Sequence, residues 1–519
     1  MFQITFQFVG RVLAVVLFAA VSVQAQQPDV EPGHYFVAFR GAPTAADVAM
    51  LRSQGAAVRR TFAEVRAVEI IGGNVGAVRS NPRVEYVEPV PRRYALGLAD
   101  SQLAPSLSNG LYGLLTTKAA DAHSRGVTGT GINVGVADTG LDYTHPDIAA
   151  NYRGGIDTVG AGDNDPSWNN DPNETHGTHV AGTIVAVNNT AGVLGVAHAA
   201  NLYHARVLGP TGGTASDVMQ GVRWLIENAG CKVVNLSLGG GLSSRTEENF
   251  YKEMRAKGAL VVAAAGNDGR KRLSYPAAYT VNISVGAVDL NNTLASFSNT
   301  GRGLDLVAPG VGVLSSVPAG QGSEASVSAS ATHQAFGLEF AGNTNGTTAT
   351  LVAAGLGRTG EFPADVAGNI ALIQRGDISF AEKVTNAMNA GAVAAVIYNN
   401  VAGDFTGTLG SATTADGRVW VPAVSVSDAS GATLVAQAQS TGTVVNQISS
   451  WDHFDGTSMA TPHTTGAIAL IWSADPALAN STVEQHLFST ATDLGGAGYD
   501  TLYGHGIINA SAAVAKAGK

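Results

Sequence analysis

The sequence predicts an α/β fold in which a parallel sheet carries helices on both faces, preceded by a small α+β module and interrupted by an inserted domain. Three observations lead to this prediction. From about residue 130, apolar strands alternate with helical stretches, which is typical of a parallel sheet covered by helices. A separate strand and helix pattern precedes them. A run rich in Ser, Ala and Gly (320–332) then begins a second strand–helix–strand unit, and the first pattern resumes near residue 447.

The N-terminal residues have the pattern of an export signal. Arg11 precedes an apolar run from Val12 to Val23, and Val23-Gln24-Ala25 resembles a cleavage site of the small-x-small type. The run is shorter than the roughly 20 residues that a membrane-spanning helix requires. We therefore expect residues 1–25 to be a signal peptide, and the mature chain to be secreted, extracellular and free of the membrane.

The module after the signal covers residues 26–98. Strands are predicted at 34–39, 67–71 and 83–89. One helical stretch is predicted from Thr44 through Leu51, and a second after residue 71 that runs through Val78. The pattern stops at Pro91-Arg92-Arg93. We therefore expect the regular secondary structure of the module to end there.

The main region predicts one domain built from two segments, 105–319 and 447–519. Its buried strands are predicted at 132–137, 201–207, 233–238, 260–265 and 281–285, and its helices at 178–187, 215–229 and 247–257. Between the segments lies the predicted insert, 320–446, with strands at 369–373, 394–398 and 421–426 and a helix at 380–390. Surface loops tolerate such insertions because closing a longer loop costs little additional entropy.

Composition excludes several classes of protein. With 45% hydrophobic and 13% charged residues the chain is globular. Its formal net charge of -10 argues against a nucleic-acid partner, which would require a basic face, and we expect none. The single cysteine, Cys231, excludes an intramolecular disulfide, and we expect it to pack as a small hydrophobic side chain.

Four residues stand where hydrolysis of a peptide bond by an alcohol would need them. That chemistry requires a nucleophile, a base, a group that orients the base, and donors for the developing oxyanion. Asp138 follows a buried strand, where open α/β sheets place their sites. His176 opens a helix, and Ser458 precedes the helical run 466–473, so its own backbone N–H is available as a donor. Asn267 can supply a second donor from its side-chain amide.

Four longer motifs surround these residues. They are Asp-Thr-Gly-Leu-Asp-x-x-His-Pro-Asp from Asp138, His-Gly-Thr-His-Val-Ala-Gly from His176, Leu-Ser-Leu-Gly-Gly from Leu236 and Gly-Thr-Ser-Met-Ala-Thr-Pro-His from Gly456. These motifs, in the chain order Asp, His, Ser, resemble the subtilisin (subtilase) family. The resemblance covers roughly 105–319 and 447–519.

The resemblance implies a secreted serine endopeptidase that acts on proteins or peptides and needs no organic cofactor. Its implied catalytic residues are the nucleophile Ser458, the general base His176, the triad carboxylate Asp138 and the oxyanion donor Asn267. Its implied substrate-binding edge strand consists of Ser237, Leu238 and Gly239, which would pair with an extended peptide.

The two additional regions also resemble parts of such enzymes. Residues 26–98 resemble an inhibitory propeptide, so we expect a zymogen that cuts itself near residues 93–110 and is inhibited by its own propeptide. The insert 320–446 resembles a protease-associated (PA) domain, in particular the segment from Gln374 to Phe380 with Lys383.

A structural calcium ion is also implied by the resemblance. The positions that match the family's calcium ligands are Asp147, Val187, Asn189, Ala191 and Val193, and their carboxylate, amide and carbonyl oxygens suit this ion. Ser108 stands where the family supplies a Gln.

Two other classes of protein are alternatives. A zinc hydrolase would require His at i and i+4 with a Glu between them, whereas His176 and His179 are spaced i, i+3 around Gly-Thr. A catalytically inactive subtilase-like protein would only bind peptides along its edge strand. The presence of competent residue types at all four catalytic positions favours the enzyme.

Overall fold

The computed structural model describes residues 29–96, 98–99, 111–159, 162–189 and 192–518. The predicted signal peptide, Ser108 and Ala191 lie outside these ranges. No helix within them is both long and apolar enough to cross a membrane.

The N-terminal module is an antiparallel sheet with two helices packed on one face. Its elements are β1 (Val30–Phe39), α1 (Ala45–Ser53), β2 (Ala56–Phe62), β3 (Ala67–Gly72), α2 (Val75–Arg79) and β4 (Val84–Ala95). The strands follow the order β4-β1-β3-β2. Strand β2 was not predicted, because Arg59 and Arg60 interrupt the apolar alternation by which a strand is recognised.

The first segment of the main domain alternates strands and helices. In chain order its elements are β5 (Leu98–Ala99), α3 (Tyr112–Thr116), α4 (Ala119–His123), β6 (Asn133–Asp138), β7 (Tyr152–Asp157), α5 (His176–Val185), β8 (Asn201–Arg206), β9 (Gly213–Thr214), α6 (Ala215–Glu227), β10 (Val233–Leu236), β11 (Leu238–Gly239), α7 (Arg245–Ala256), β12 (Leu260–Ala264), β13 (Ile283–Val288), β14 (Leu306–Pro309) and β15 (Val313–Ser316).

The insert forms a closed barrel of seven strands. Its elements are β16 (Gly322–Ser328), β17 (Thr332–Gly337), β18 (Thr344–Ala353), β19 (Ile370–Gln374), α8 (Phe380–Asn389), β20 (Ala394–Tyr398), β21 (Ala423–Val426), α9 (Asp428–Ala436) and β22 (Thr441–Ser449). The first and last strands pair with each other, with Gly322 opposite Ser449. The chain therefore enters and leaves the barrel at one place, which explains how the main domain accommodates it.

The second segment completes the main domain with β23 (Trp451–Asp455), α10 (Thr457–Ala474), α11 (Asn480–Thr490) and α12 (Ala510–Lys516). The central sheet has seven strands in the order β14-β13-β12-β10-β6-β8-β7, and its strand pairs are parallel. Helices α5, α10 and α12 pack on one face, and α6 and α7 pack on the other. The predicted fold class is therefore confirmed.

The N-terminal module is docked on α6 and α7 through a shared hydrophobic cluster. Phe36 and Phe62, on the face of its sheet opposite α1 and α2, pack with Met219 and Phe250 of these helices. The rings of Phe62 and Phe250 make an edge-to-face contact with their centroids 6.4 Å apart. This docking brings strand β4 alongside the main domain.

Candidate active site

Asp138 is the last residue of β6, at the carboxyl end of a central strand of the parallel sheet. Its side chain is buried, and its Oδ1 accepts a hydrogen bond of 2.7 Å from the backbone N–H of Thr139. The Nδ1 atom of His176 lies 2.7 Å from the same oxygen. The structure therefore brings together the predicted carboxylate and the predicted base.

His176 is the first residue of α5. The start of this helix lies close to the chain after Asp138, since a Cβ atom at Gly177 would be only 2.5 Å from the carbonyl oxygen of Thr139. An ionised carboxylate only accepts hydrogen bonds, so Nδ1 of His176 carries the hydrogen and Nε2 keeps its lone pair. Within the described part of the chain Nε2 is buried and has no hydrogen-bond partner, which leaves it available to accept a proton.

Ser458 is the second residue of α10, which begins nine residues before the predicted helical run at 466. Pro462 lies inside this helix and has no N–H to donate to the carbonyl of Ser458. The hydroxyl of Ser237 donates to that carbonyl instead, at 2.7 Å. The Oγ of Ser458 in turn donates to the carbonyl of Ser237 at 2.9 Å. Gly456, with φ +151°, permits the turn into the helix.

The side chain of Asn267 is oriented by the residue that precedes Ser458. Its Oδ1 accepts hydrogen bonds from the backbone N–H and the hydroxyl of Thr457, at 2.9 and 2.7 Å. Its Nδ2 is thereby directed at the carbonyl oxygen of Leu96, to which it donates. The amide that was predicted to stabilise an oxyanion therefore contacts a peptide carbonyl of the chain itself.

The predicted substrate-binding strand pairs with the end of the N-terminal module. Leu238 lies opposite Ala95, and Gly239 lies opposite Tyr94, in an antiparallel ladder between β11 and β4. The carbonyl of Ser237 accepts a hydrogen bond of 3.2 Å from the N–H of Leu96. The edge strand thus holds an extended segment of the chain itself.

The chain on either side of Leu96 also pairs with other strands of the main domain. Strand β9 pairs with residues 92–93 of β4, and β5 pairs with β23 on the far side of Leu96. The prediction that regular structure ends at Pro91-Arg92-Arg93 is therefore wrong. Residues 90–95 are extended because distant edge strands pair with them, and local propensity contains no information on such partners.

A buried ion-pair cluster supports the loop after Asp138. Arg206, at the end of β8, donates to Glu174 at 2.8 and 2.5 Å and to Asp157 at 3.0 Å. Glu174 also accepts a hydrogen bond of 3.1 Å from the N–H of Gly140. Sequence reasoning missed this cluster, because nothing within the acidic stretch from Asp157 to Glu174 indicates that Arg206 lies against it. Its two ends are buried, since Arg206 neutralises both carboxylates.

The other histidines near the site have structural environments. Burial lowers the pKa of His179 to about 3 and the pKa of His463 to about 4, so both rings are neutral. The ring of His179 stacks on Phe454 with centroids 4.3 Å apart, and His145 contacts the carbonyl of Ser450 at 3.0 Å. Among the described residues, no group of three or more His, Cys, Asp or Glu side chains could hold a metal ion.

The surroundings of Asp147 do not fit a calcium ion. The carboxylate accepts hydrogen bonds from Nδ2 of Asn189 at 2.9 Å, from the N–H of Val193 at 3.1 Å and from the indole N–H of Trp451 at 2.6 Å. Ser316 contributes a longer contact of 3.3 Å. A cation would need oxygen ligands on this side, whereas Trp451 presents an N–H that cannot become a ligand. The backbone N–H of Val187 points to the carbonyl of Asp147, at 2.8 Å.

Comparisons with known proteins agree with this architecture. The Subtilase family matches residues 129–358, and the PA domain matches residues 347–434. The first match ends within the barrel, and the segment that contains Ser458 follows the insert. The two families that the sequence motifs resemble are therefore both present in this chain.

Individual relatives extend the match. Subtilisin E of Bacillus subtilis (strain 168) is 36% identical over 332 residues, which cover 61% of this chain and 82% of that protein. The alkaline protease of Shouchella clausii is 44% identical over 255 residues, which span 49% of this chain and only 62% of that protein. The crystal structure of the psychrophilic subtilisin-like protease Apa1 of Pseudoalteromonas sp. AS-11 has a TM-score of 0.60 at 32% identity, covering 78% of this chain and 97% of that chain. The chain belongs to the subtilase family.

Proposed function

We propose that this chain is the precursor of a serine endopeptidase that hydrolyses peptide bonds through an acyl-enzyme and first cuts itself between Leu96 and Gly97. One observation carries the proposal. The carbonyl of Leu96 accepts a hydrogen bond from Asn267, while the residues before it pair with two edges of the main domain. These are the contacts that the proposal expects of a bound substrate, and Ser237 joins the two parts of the site, since it contacts Ser458 and accepts from the N–H of Leu96.

The first step is acylation. The hydroxyl of Ser458 first turns from the carbonyl of Ser237 toward Nε2 of His176, which has no other partner among the described residues. Its Oγ then attacks the carbonyl carbon of Leu96, and its proton passes to Nε2 of His176. Asp138 stabilises the resulting imidazolium through Nδ1. Negative charge develops on the carbonyl oxygen of Leu96, to which the amide of Asn267 already donates, and the backbone N–H of Ser458 is the second donor that the proposal assigns. The bond to the nitrogen of Gly97 then breaks, and this nitrogen leaves with the proton held by His176.

The second step is hydrolysis of the ester between Ser458 and Leu96. A water molecule gives a proton to Nε2 of His176 and attacks the ester carbon, with Asn267 again stabilising the oxyanion. The ester bond breaks, and the proton returns to Oγ of Ser458. Leu96 becomes a new C-terminal carboxyl group, which releases the remaining proton of the water to solvent, and the enzyme is regenerated.

The docking of the N-terminal module supports its role as an inhibitory propeptide. Glu88 accepts hydrogen bonds from the hydroxyl of Ser244 and from the N–H groups of Arg245 and Thr246, at 2.8, 3.1 and 2.8 Å. It thereby caps the N-terminus of α7, where a carboxylate is favoured. These contacts do not involve the bond to be cut, so they would persist after cleavage and keep the site covered.

The N-terminal residues support export of the proposed precursor. The apolar run after Arg11 supports export and release of an extracellular enzyme.

We also infer that the barrel controls the access of large substrates, because it lies directly before β23, which pairs with β5 on the leaving-group side of the site. Protein and peptide substrates are the expected partners.

A serine-directed sulfonyl fluoride tests the proposed function. We expect the processed chain to lose its hydrolysis of casein and to gain one sulfonyl group on the proteolytic fragment that contains Ser458. The reason is that only a serine whose proton can pass to a neighbouring base is nucleophilic at neutral pH. Ser473, on the same helix, serves as the internal control and should remain unmodified. Hydrolysis that persists unchanged, or a label on another serine, would contradict the assignment.

A further inference from the structure

Arg93 is completely buried, although it belongs to the strand that the propeptide presents to the active site. Its side chain is 0% exposed. Its Nε donates to Oε1 of Glu247 at 3.2 Å, and its Nη2 donates to Oε2 of the same carboxylate. The Nη2 atom also donates to the carbonyl of Leu242 at 3.2 Å. A guanidinium that forms two parallel bonds to a carboxylate is among the strongest polar contacts in proteins.

The pocket around Arg93 is built by the main domain. Glu247 lies in the first turn of α7 and is itself 0% exposed. The hydroxyl of Tyr279 donates to Oε2 of Glu247 at 2.8 Å, which fixes the orientation of the carboxylate. At Gly240 an added Cβ atom would lie 3.1 Å from Nη1 of Arg93, so the absence of a side chain there leaves room for the guanidinium.

The register of the strand determines which substrate residue would enter this pocket. Leu96 provides the carbonyl that contacts Asn267, and Arg93 lies three residues before it, opposite Gly213 of β9. A peptide that replaces the propeptide and pairs with the same edges would place its fourth residue before the scissile bond against Glu247. We propose that Glu247 makes this pocket a guanidinium-binding subsite, so that the enzyme prefers substrates with arginine at this fourth position.

This proposal rests on the proposed endopeptidase function, and its physical basis is the cost of an unpaired buried charge. A neutral side chain in the pocket would leave the carboxylate of Glu247 without a counter-ion. A lysine would neutralise the charge but could not form the two parallel bonds that Arg93 forms. The expected order of preference at the fourth position is therefore arginine, then lysine, then glutamine.

Peptide substrates based on the chain's own residues 93–96 test the proposal. The processed enzyme is given acetyl-Arg-Tyr-Ala-Leu p-nitroanilide and the matched peptides with Lys or Gln in place of Arg, and kcat/KM is measured for each. We expect the Arg peptide to exceed the Gln peptide by about 30-fold or more, the range for removing one partner of a buried charge pair. Glu247→Gln should reduce this ratio to near one. Glu248→Gln should preserve it, because Glu248 is only partly buried and pairs with Lys252 on the same helix.

Each outcome is decisive. Equal rates of the wild-type enzyme on the Arg and Gln peptides, with casein still hydrolysed, would overturn the arginine subsite and leave the endopeptidase function intact. Hydrolysis of neither peptide nor casein would overturn the endopeptidase function and the subsite with it. If Glu247→Gln yields no folded enzyme, the wild-type comparison alone still decides whether arginine is preferred. A ratio that survives in a folded Glu247→Gln enzyme would show that another group selects the arginine, contrary to the proposal.

Discussion

Replacing Ser458 by alanine should abolish peptide hydrolysis, with a loss of roughly 10⁶-fold in kcat, while the chain still folds. The substitution removes the only atom proposed to attack the substrate. Its structural cost is one hydrogen bond to the carbonyl of Ser237, and this carbonyl keeps its contact with the N–H of Leu96. A net hydrogen bond contributes about 1 kcal/mol to stability, so unfolding should change little. Hydrolysis of casein and the thermal unfolding midpoint measure the two effects.

A serine on the same helix provides the matched control for this substitution. The hydroxyl of Ser473 donates to the carbonyl of Thr130 in an exposed contact, and it lies at the opposite end of α10. Ser473→Ala should retain full hydrolysis. If Ser458→Ala hydrolysed casein at the wild-type rate, the assigned nucleophile would be wrong.

Replacing Asp138 by asparagine should lower kcat by about 10⁴-fold at neutral pH. Oδ1 of Asp138 now accepts hydrogen bonds from Nδ1 of His176 and from the N–H of Thr139. An asparagine that keeps the second bond through its oxygen can turn its NH₂ group toward the ring. Nδ1 would then have to accept a hydrogen bond, the proton would move to Nε2, and the base would be lost.

The decrease in kcat caused by Asp138→Asn is measured with the tetrapeptide substrate, on enzyme that has been processed before the comparison. Processing of the variant therefore requires a small added amount of wild-type enzyme, whose background rate is subtracted. Asp416→Asn, at an exposed carboxylate of the barrel, controls for the change of charge and should retain the wild-type rate. A variant at Asp138 that retains more than a tenth of the wild-type kcat would contradict the role of this residue in orienting His176.

The parts of the site that could be predicted from sequence are those that local structure positions. Asp138 ends an apolar strand and His176 begins a helix, and both positions were predicted because the patterns around them are short and continuous in sequence. Helix α7 was predicted at 247–257 and is observed at Arg245–Ala256. In each of these cases the periodicity of neighbouring residues was sufficient.

The parts that could not be predicted depend on partners from distant segments. Residues 92–95 have no strand pattern of their own, and they are extended because β9 and β11 pair with them across more than a hundred residues of sequence. Pro462 obscured the early start of α10 in the sequence. The helix accommodates this proline because the hydroxyl of Ser237 donates to the carbonyl of Ser458 in place of the missing N–H. Sequence periodicity records neither kind of partner.

The burial of charged side chains was also unpredictable for a physical reason. Glu247 lies in a segment that resembles an exposed polar helix, and Arg206 is a charged residue in a strand that was predicted to be buried, although a charged residue is normally solvated. Each is buried only because an opposite charge from another segment meets it, namely Arg93 for Glu247 and Glu174 for Arg206. A pair of this kind is defined by the tertiary fold and has no signature within either segment.

The N-terminus of the first processed product shows whether Ser458 cuts the chain after Leu96. The purified precursor is sampled at early times and the large fragment is measured by intact mass and N-terminal sequencing, with Ser458→Ala treated in parallel. We expect the first large fragment to begin at Gly97 and the Ser458→Ala chain to stay uncut. A first cut at a different bond, or cleavage of the Ser458→Ala chain at the same bond with no wild-type enzyme present, would show that Ser458 does not cut the chain after Leu96.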